Sequence, residues 1–331
     1  MTGTAGPMQA TPAYEVAWRV VAASAAGSAH LARGLPCQDA WAWRCLPTGP
    51  LLAAVADGAG SAARAELGAA LAVEAVMDAL VHRWLGAASP LSPPSDAPAS
   101  VIPFDDAPDH GDADPDGPGP AEPTEERWLR EAVVEARAAL EARSRELGCP
   151  LRDLACTLIC VVVEADRLWV AQVGDGLALA RDGSGAWHTV GRPQKEGEYA
   201  NEAHFLTAAD ALARLVTSAW PIAADALVAS SDGLLRLMLQ LPGFEPHPPF
   251  VEPLVRFAAG ELTPERAGEQ LARFLAGPRI AARTDDDTTL LIAWRRGAKP
   301  DASDAPGPAT RAPSRPSDPD PEAPAERPTE A

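Results

Sequence analysis

Leu51-Leu-Ala-Ala-Val-Ala-Asp57-Gly58, Trp169-Val-Ala-Gln-Val-Gly-Asp175-Gly176 and Ala226-Leu-Val-Ala-Ser-Ser-Asp232-Gly233 share one pattern. In each, an apolar run of buried-strand composition ends in a carboxylate and a glycine. Asp-Gly occurs five times in the chain, and the other two copies, Asp116-Gly117 and Asp182-Gly183, are adequately explained as turns. A turn also explains any one of the three strand-end copies taken alone. As a set they weigh differently, because a carboxylate at the end of a buried strand is costly unless it is paired or holds a cation. The aspartates Asp285, Asp286 and Asp287 stand before the last apolar run, Thr288 to Trp294, and add to that set.

Working outward, Trp18 to Ala23, Ala40 to Cys45 and Leu51 to Ala56 have strand composition. Ala62 to Leu85 and Glu125 to Leu147 show helical spacing with few breakers. Leu158 to Val163 and Leu168 to Val173, joined by Glu164-Ala-Asp-Arg167, predict a hairpin, and Leu177 to Ala180 and Ala186 to Val190 flank a second turn. Ala226 to Ser230 predicts a buried strand and Leu234 to Leu241 a helix. Pro249 to Ala259 and Pro264 to Leu275 predict helices, each with a proline near its first turn. Hairpins and helix pairs without regular strand–helix alternation predict a layered α+β domain rather than a doubly wound sheet.

The chain has 331 residues and a net charge of -18. Residues 86–124 hold ten prolines, eight acidic residues and no Lys or Arg; residues 298–331 hold nine prolines, seven acidic and four basic residues. These two segments carry -11 of the charge and too little apolar surface to offset the entropy of ordering, so both are expected to be disordered; residues 1–13 are expected as a flexible N-terminus. The organisation expected is a domain over 14–297, interrupted by the 86–124 insert and followed by the tail. The acidity argues against nucleic acid and against a polybasic membrane anchor. No apolar run reaches the length of a membrane helix and the N-terminus lacks a signal-peptide pattern, so a cytoplasmic protein is expected. The five cysteines (Cys37, Cys45, Cys149, Cys156 and Cys160) contain no Cys-x-x-Cys pair and are expected as reduced, mostly buried thiols.

The six histidines are scattered, with no His-x-His or His-Glu-x-x-His, which disfavours zinc. Several aspartates with a glycine carbonyl and waters suit Mg²⁺ or Mn²⁺. At this point a resemblance becomes specific. Gly34-Leu-Pro-Cys-Gln-Asp39-Ala, Val55-Ala-Asp57-Gly58-Ala-Gly-Ser-Ala62, Ala155-Cys-Thr157, Val173-Gly-Asp175-Gly, Ser231-Asp232-Gly233-Leu and Asp286-Asp-Thr-Thr-Leu-Leu fall in one order. That order resembles the type 2C metal-dependent serine/threonine phosphatases, in particular a bacterial branch with Cys-Gln-Asp and Asp-Gly-Ala-Gly-Ser. The resemblance spans Trp18 to Trp294 apart from the insert and implies a four-layer α-β-β-α sandwich.

It also implies roles. Asp57 would bridge two metal ions, with the Gly58 carbonyl on the second; Asp232 and Asp286 would hold the first, and Asp39 the second directly or through water. Asp175 matches the ligand of an accessory third ion. A water between the metals would attack phosphorus with no phosphoenzyme. The implied partners are phosphorylated proteins, a cognate serine/threonine kinase among them, and the expected state is a monomer. Two positions depart from the family. Its phosphate-gripping Arg is replaced by Gly34, with Arg33 adjacent: either a shifted grip or an ordinary surface residue. Its motif-two His is replaced by Ala59, leaving His30 as a proton donor, a phosphate ligand or a structural histidine. These departures keep a second reading open, a non-catalytic phosphoprotein-binding or regulatory module on the same fold. Gly197 to Thr207 is too polar for a plain strand and is either a flap beside the metal site or a surface hairpin.

Overall fold

A computed structural model describes residues 18–87, 124–194 and 204–298. The expectations for 1–13, for most of the insert and tail, and for the first part of Gly197 to Thr207 lie outside the described residues. The strands are β1 (Trp18–Ala25), β2 (Ala40–Cys45), β3 (Leu51–Ala56), β4 (Leu158–Val163), β5 (Leu168–Val173), β6 (Leu177–Asp182), β7 (Trp187–Gly191), β8 (Val216–Trp220), β9 (Ala224–Ser230), the short pair β10 (Leu239–Gln240) and β11 (Glu245–Pro246), and β12 (Thr288–Arg295). The helices are α1 (Ser28–Ala32), α2 (Ala65–Ala87), α3 (Thr124–Leu147), α4 (Leu235–Met238), α5 (Pro248–Ala259), α6 (Pro264–Leu275) and α7 (Pro278–Ala281).

Two antiparallel five-stranded sheets form, in the orders β2-β3-β4-β5-β8 and β1-β12-β9-β6-β7. The side-chain alternation of the central strands explains why they stack. In β3, Leu51, Ala53 and Val55 enter a core between the sheets with Leu227, Leu291 and Ala293 of β9 and β12. The alternate residues Leu52 and Ala54 face the other way, onto Val76 and Leu80 of α2 and Leu129 and Val133 of α3. On the far side, Leu290 and Ile292 pack against Val251 and Val255 of α5 and Leu271 of α6. Strands buried on both faces read as continuous apolar runs, and the result is the expected α-β-β-α sandwich.

Three differences from the sequence reading have local causes. Leu234 to Leu241, expected as one helix, divides into α4 and β10, because Leu239 and Gln240 pair with Pro246 and Glu245. Strand β8 was not anticipated: it is an edge strand whose first residue, Val216, is exposed, so it lacks a buried strand's apolar run. Helix α2 begins at Ala65 rather than Ala62 and runs to Ala87, taking in the first two residues assigned to the insert, as α3 takes in its last, Thr124. The five cysteines are free, but only Cys156 and Cys160 are buried; the other three are intermediate.

Candidate metal centre

The proposed ligands arrive at one end of the sandwich from both sheets. Asp57 follows β3, Asp175 follows β5, Asp232 follows β9, Asp286 precedes β12 and Asp39 precedes β2. Asp57, Gly58, Asp175, Asp232 and Asp286 line one cleft of about 550 Å³, together with Thr157, Phe205, Arg236, Arg283 and Asp285. Burial pushes Asp57 well above the ordinary carboxylate range, and the charges of Asp39, Asp232, Asp286 and Asp175 push it further. Burial also raises Asp39, to about 7, against hydrogen bonds that favour its ionised form.

The supporting contacts are specific. Thr157 Oγ1 accepts from the Asp57 N–H at 3.1 Å, and the Thr157 N–H donates to the Asp57 carbonyl at 2.8 Å. Ser231 Oγ donates to Asp39 Oδ2 at 2.7 Å and accepts from the Thr289 N–H at 3.0 Å, so β9 and β12 fix a carboxylate on the opposite sheet. Gln172 is buried on β5 and donates to the carbonyls of Gly174 and Gly176 at 3.0 and 2.8 Å, clamping the turn that carries Asp175. Glycine is required beside two of the aspartates. A Cβ on Gly58 would lie 2.7 Å from the Gln38 carbonyl, and one on Gly233 would lie 2.1 Å from the Asp287 carbonyl.

His30 sits on α1, buried, with Nδ1 2.8 Å from Asp287 Oδ1. Asp287 accepts from the Gly27 and Gln38 N–H groups at 2.7 and 2.6 Å, so its carboxylate is held as well as buried. The opposite ring nitrogen, Nε2, lies 3.5 Å from the place a Cβ on Gly60 would occupy, and Gly60 lines the cleft. Arg33 is exposed, caps the C-terminal end of α1 and is not among the cleft-lining residues. The cleft's own cations are Arg236 and Arg283, which the sequence reading did not select. Phe205 also lines the cleft, so the described end of the Gly197 to Thr207 segment abuts the site. Asp182, by contrast, closes its turn by accepting from Ser184 and Ala186, and its companion is His188 at 2.7 Å.

Among the described residues no three His, Cys, Asp or Glu side chains form a closed metal cage; the carboxylates border an open cleft. The residues nonetheless suit a hard divalent cation. Their donors are oxygens, Asp39 Oδ1 is buried and accepts no hydrogen bond, and the carboxylates raise one another's cost of ionisation.

Comparison with known proteins is consistent with this arrangement. The family described as protein phosphatase 2C matches residues 26–276. Serine/threonine-protein phosphatase 3 of Escherichia coli (strain K12) is 32% identical over 285 residues, 84% of this chain and 98% of the relative. Two solved structures share the fold at low identity. A crystal structure of a mutated bacterial serine phosphatase has 16% identity and a TM-score of 0.50, covering 85% of this chain and 98% of the other. A C. elegans sex-determining protein has 14% identity and a TM-score of 0.53, covering 84% and 64%.

Proposed function

The chain belongs to the protein phosphatase 2C family of metal-dependent protein phosphatases, and from that premise we propose that it hydrolyses phosphoserine and phosphothreonine in proteins with Mg²⁺ or Mn²⁺. The observation that carries the proposal is the convergence of four aspartates, Asp39, Asp175, Asp232 and Asp286, from the ends of both sheets around Asp57. In this reading Asp39, Asp57, the Gly58 carbonyl, Asp232 and Asp286 would hold two divalent ions, and Asp175 would hold an accessory third. A divalent cation bound there acidifies a coordinated water and offsets the charge of the phosphate.

The chain's own residues do the rest. Arg236 and Arg283, exposed at the cleft, bind and orient the phosphate oxygens, a role that exposed Arg33 outside the lining is less well sited to fill. His30, oriented through Nδ1 by Asp287, presents Nε2 towards Gly60 and gives a proton to the departing serine or threonine oxygen. The substrates assigned on family grounds are a cytoplasmic serine/threonine kinase and its targets, met by a monomeric enzyme in the cytoplasm.

The test is Mn²⁺-dependent hydrolysis of para-nitrophenyl phosphate and of phosphoserine, phosphothreonine and phosphotyrosine peptides. Wild type should turn over the first three, and Asp57→Asn should lose on the order of 10²–10³-fold, matching several kcal/mol of transition-state stabilisation. A wild type inert with every divalent metal would overturn the assignment. For His30, the readout is the dependence of kcat on pH: a His30→Ala profile superimposable on wild type removes it from proton transfer.

A further inference from the structure

A second concavity, about 780 Å³, opens between α5, α6 and α7. Its walls are Phe250, Pro253 and Phe257 on α5 and Leu271 and Phe274 on α6. The Phe250 and Phe274 rings lie 6.5 Å apart, and Phe274 is 37% exposed, so the groove presents aromatic surface to solvent. Three features set it apart from an incidental dent. It is continuous with the metal cleft, since Leu237 and Arg283 line both. It is apolar where the cleft is polar, so the two together read a charged group beside an apolar one. Its edge carries two arginines, Arg279 and Arg283, both exposed in a chain of net charge -18.

We infer that this groove is the docking site for the substrate polypeptide: a bulky apolar side chain near the phosphorylated residue seats between α5 and α6, with acidic neighbours meeting Arg279 while Arg283 serves the phosphate. The inference rests on the phosphatase reading of the adjoining cleft and adds its substrate class, phosphoproteins with an apolar anchor in an acidic setting. An extended chain advances about 3.3–3.6 Å per residue, so a side chain three to five residues from the phosphate reaches roughly 10–18 Å along the surface. Anchoring an aromatic there adds binding through apolar burial, while the phosphate fixes register. Two other occupants are separated from the substrate by the test. Val101-Ile-Pro-Phe104, followed by Asp105 and Asp106, matches its character, but it belongs to the connection between α2 and α3, which pack on the other sheet. A second copy would bring its own Arg279 and Arg283 against these.

The experiment walks one phenylalanine through positions two to six residues on either side of a phosphothreonine in acidic peptides, against an all-alanine control. It reads kcat/KM with Mn²⁺ and, separately, binding of the same fluorescein-labelled peptides by anisotropy. At one or two positions phenylalanine should raise kcat/KM and affinity about 10-fold in wild type. Phe274→Glu should abolish that gain, and Arg279→Glu should reduce it, while both variants hydrolyse para-nitrophenyl phosphate at the wild-type rate. Equal values for every peptide would overturn the docking site. Phenylalanine-dependent binding without hydrolysis of any phosphate ester would leave the groove standing and overturn the catalytic reading. A rise in peptide affinity on replacing residues 88–123 with a short Gly/Ser linker, which keeps α2 and α3 joined, would instead assign the groove to the insert. A concentration-dependent dimer lost in Phe274→Glu would assign it to a second copy.

Discussion

Asp57 is placed where its own charge is least welcome: burial first, then Asp39, Asp232, Asp286 and Asp175, all raise its pKa. Such a residue destabilises the metal-free fold, and in the proposed site it would stabilise the metal-bound one. The pH dependence follows from Asp39, raised from 3.8 to about 7. Between those values the folded state binds more protons than the unfolded one, so stability falls as pH rises through the window. Chelator-treated protein should therefore melt at a lower temperature at pH 8 than at pH 5.5, and saturating Mn²⁺ should flatten that slope; parallel curves with and without metal would refute it. Asp57→Asn should raise the melting temperature of the stripped protein while abolishing activity. Asp57, Asp175 and Asp232 were legible in the sequence because each ends an apolar run, whereas Asp39, and Asp286 among its neighbours, were singled out only by the family resemblance. Ser231 and Asp287 were not, because their partners Asp39 and His30 are 192 and 257 positions away, and only the stacking of the sheets joins them.

At the scale of the elements, strand ends need fixing, and the chain does this with buried polar side chains. Gln172 on β5 bridges the carbonyls on both sides of Asp175. Gln172→Leu retains the bulk and removes both donors, so Mn²⁺ activation should weaken about 10–100-fold, the usual effect of losing a residue that orients a ligand; an unchanged activation curve would show the turn to be rigid without it. Farther along β6, Arg181 is 1% exposed, makes two hydrogen bonds to Asp225 at 2.9 and 3.0 Å, approaches Glu252 at 3.5 Å and stacks on Trp294. Removing one member of a buried pair leaves the other charge uncompensated. Arg181→Ala should lower unfolding free energy by about 3–5 kcal/mol in urea titration, with kcat at low temperature preserved. The central strands were legible for the reason they are stable, burial on both faces. Edge strand β8 and five-residue α1 were not, since an exposed edge carries little pattern and a single turn has no periodicity.

Across the whole molecule, the proposed metal centre lies where the two sheets meet: Asp39 and Asp57 adjoin strands of one sheet, Asp232 and Asp286 strands of the other, and Asp175 stands between β5 and β6, one from each. The apolar layer between the sheets holds them face to face along their length, but at this end carboxylate repulsion opposes closure. A cation bound by both sheets would reverse the sign of that local term, so metal affinity would appear as stability of the entire sandwich rather than of one loop. Mass action gives about 2.7 kcal/mol at a hundred times Kd, and each kcal/mol moves Tm by about 2–4 °C in a domain of this size. Saturating Mn²⁺ should thus raise Tm by roughly 5–10 °C in a single cooperative transition seen alike by calorimetry and by tryptophan fluorescence, since Trp18, Trp84, Trp169 and Trp294 are buried across both sheets and their helices. Asp57→Asn should lose that increment, and Asp182→Asn, at a turn outside the cleft, should keep it. A metal-dependent shift confined to one probe would mean that the ions order only the loops around the cleft, and that the two sheets do not depend on shared ligands to close.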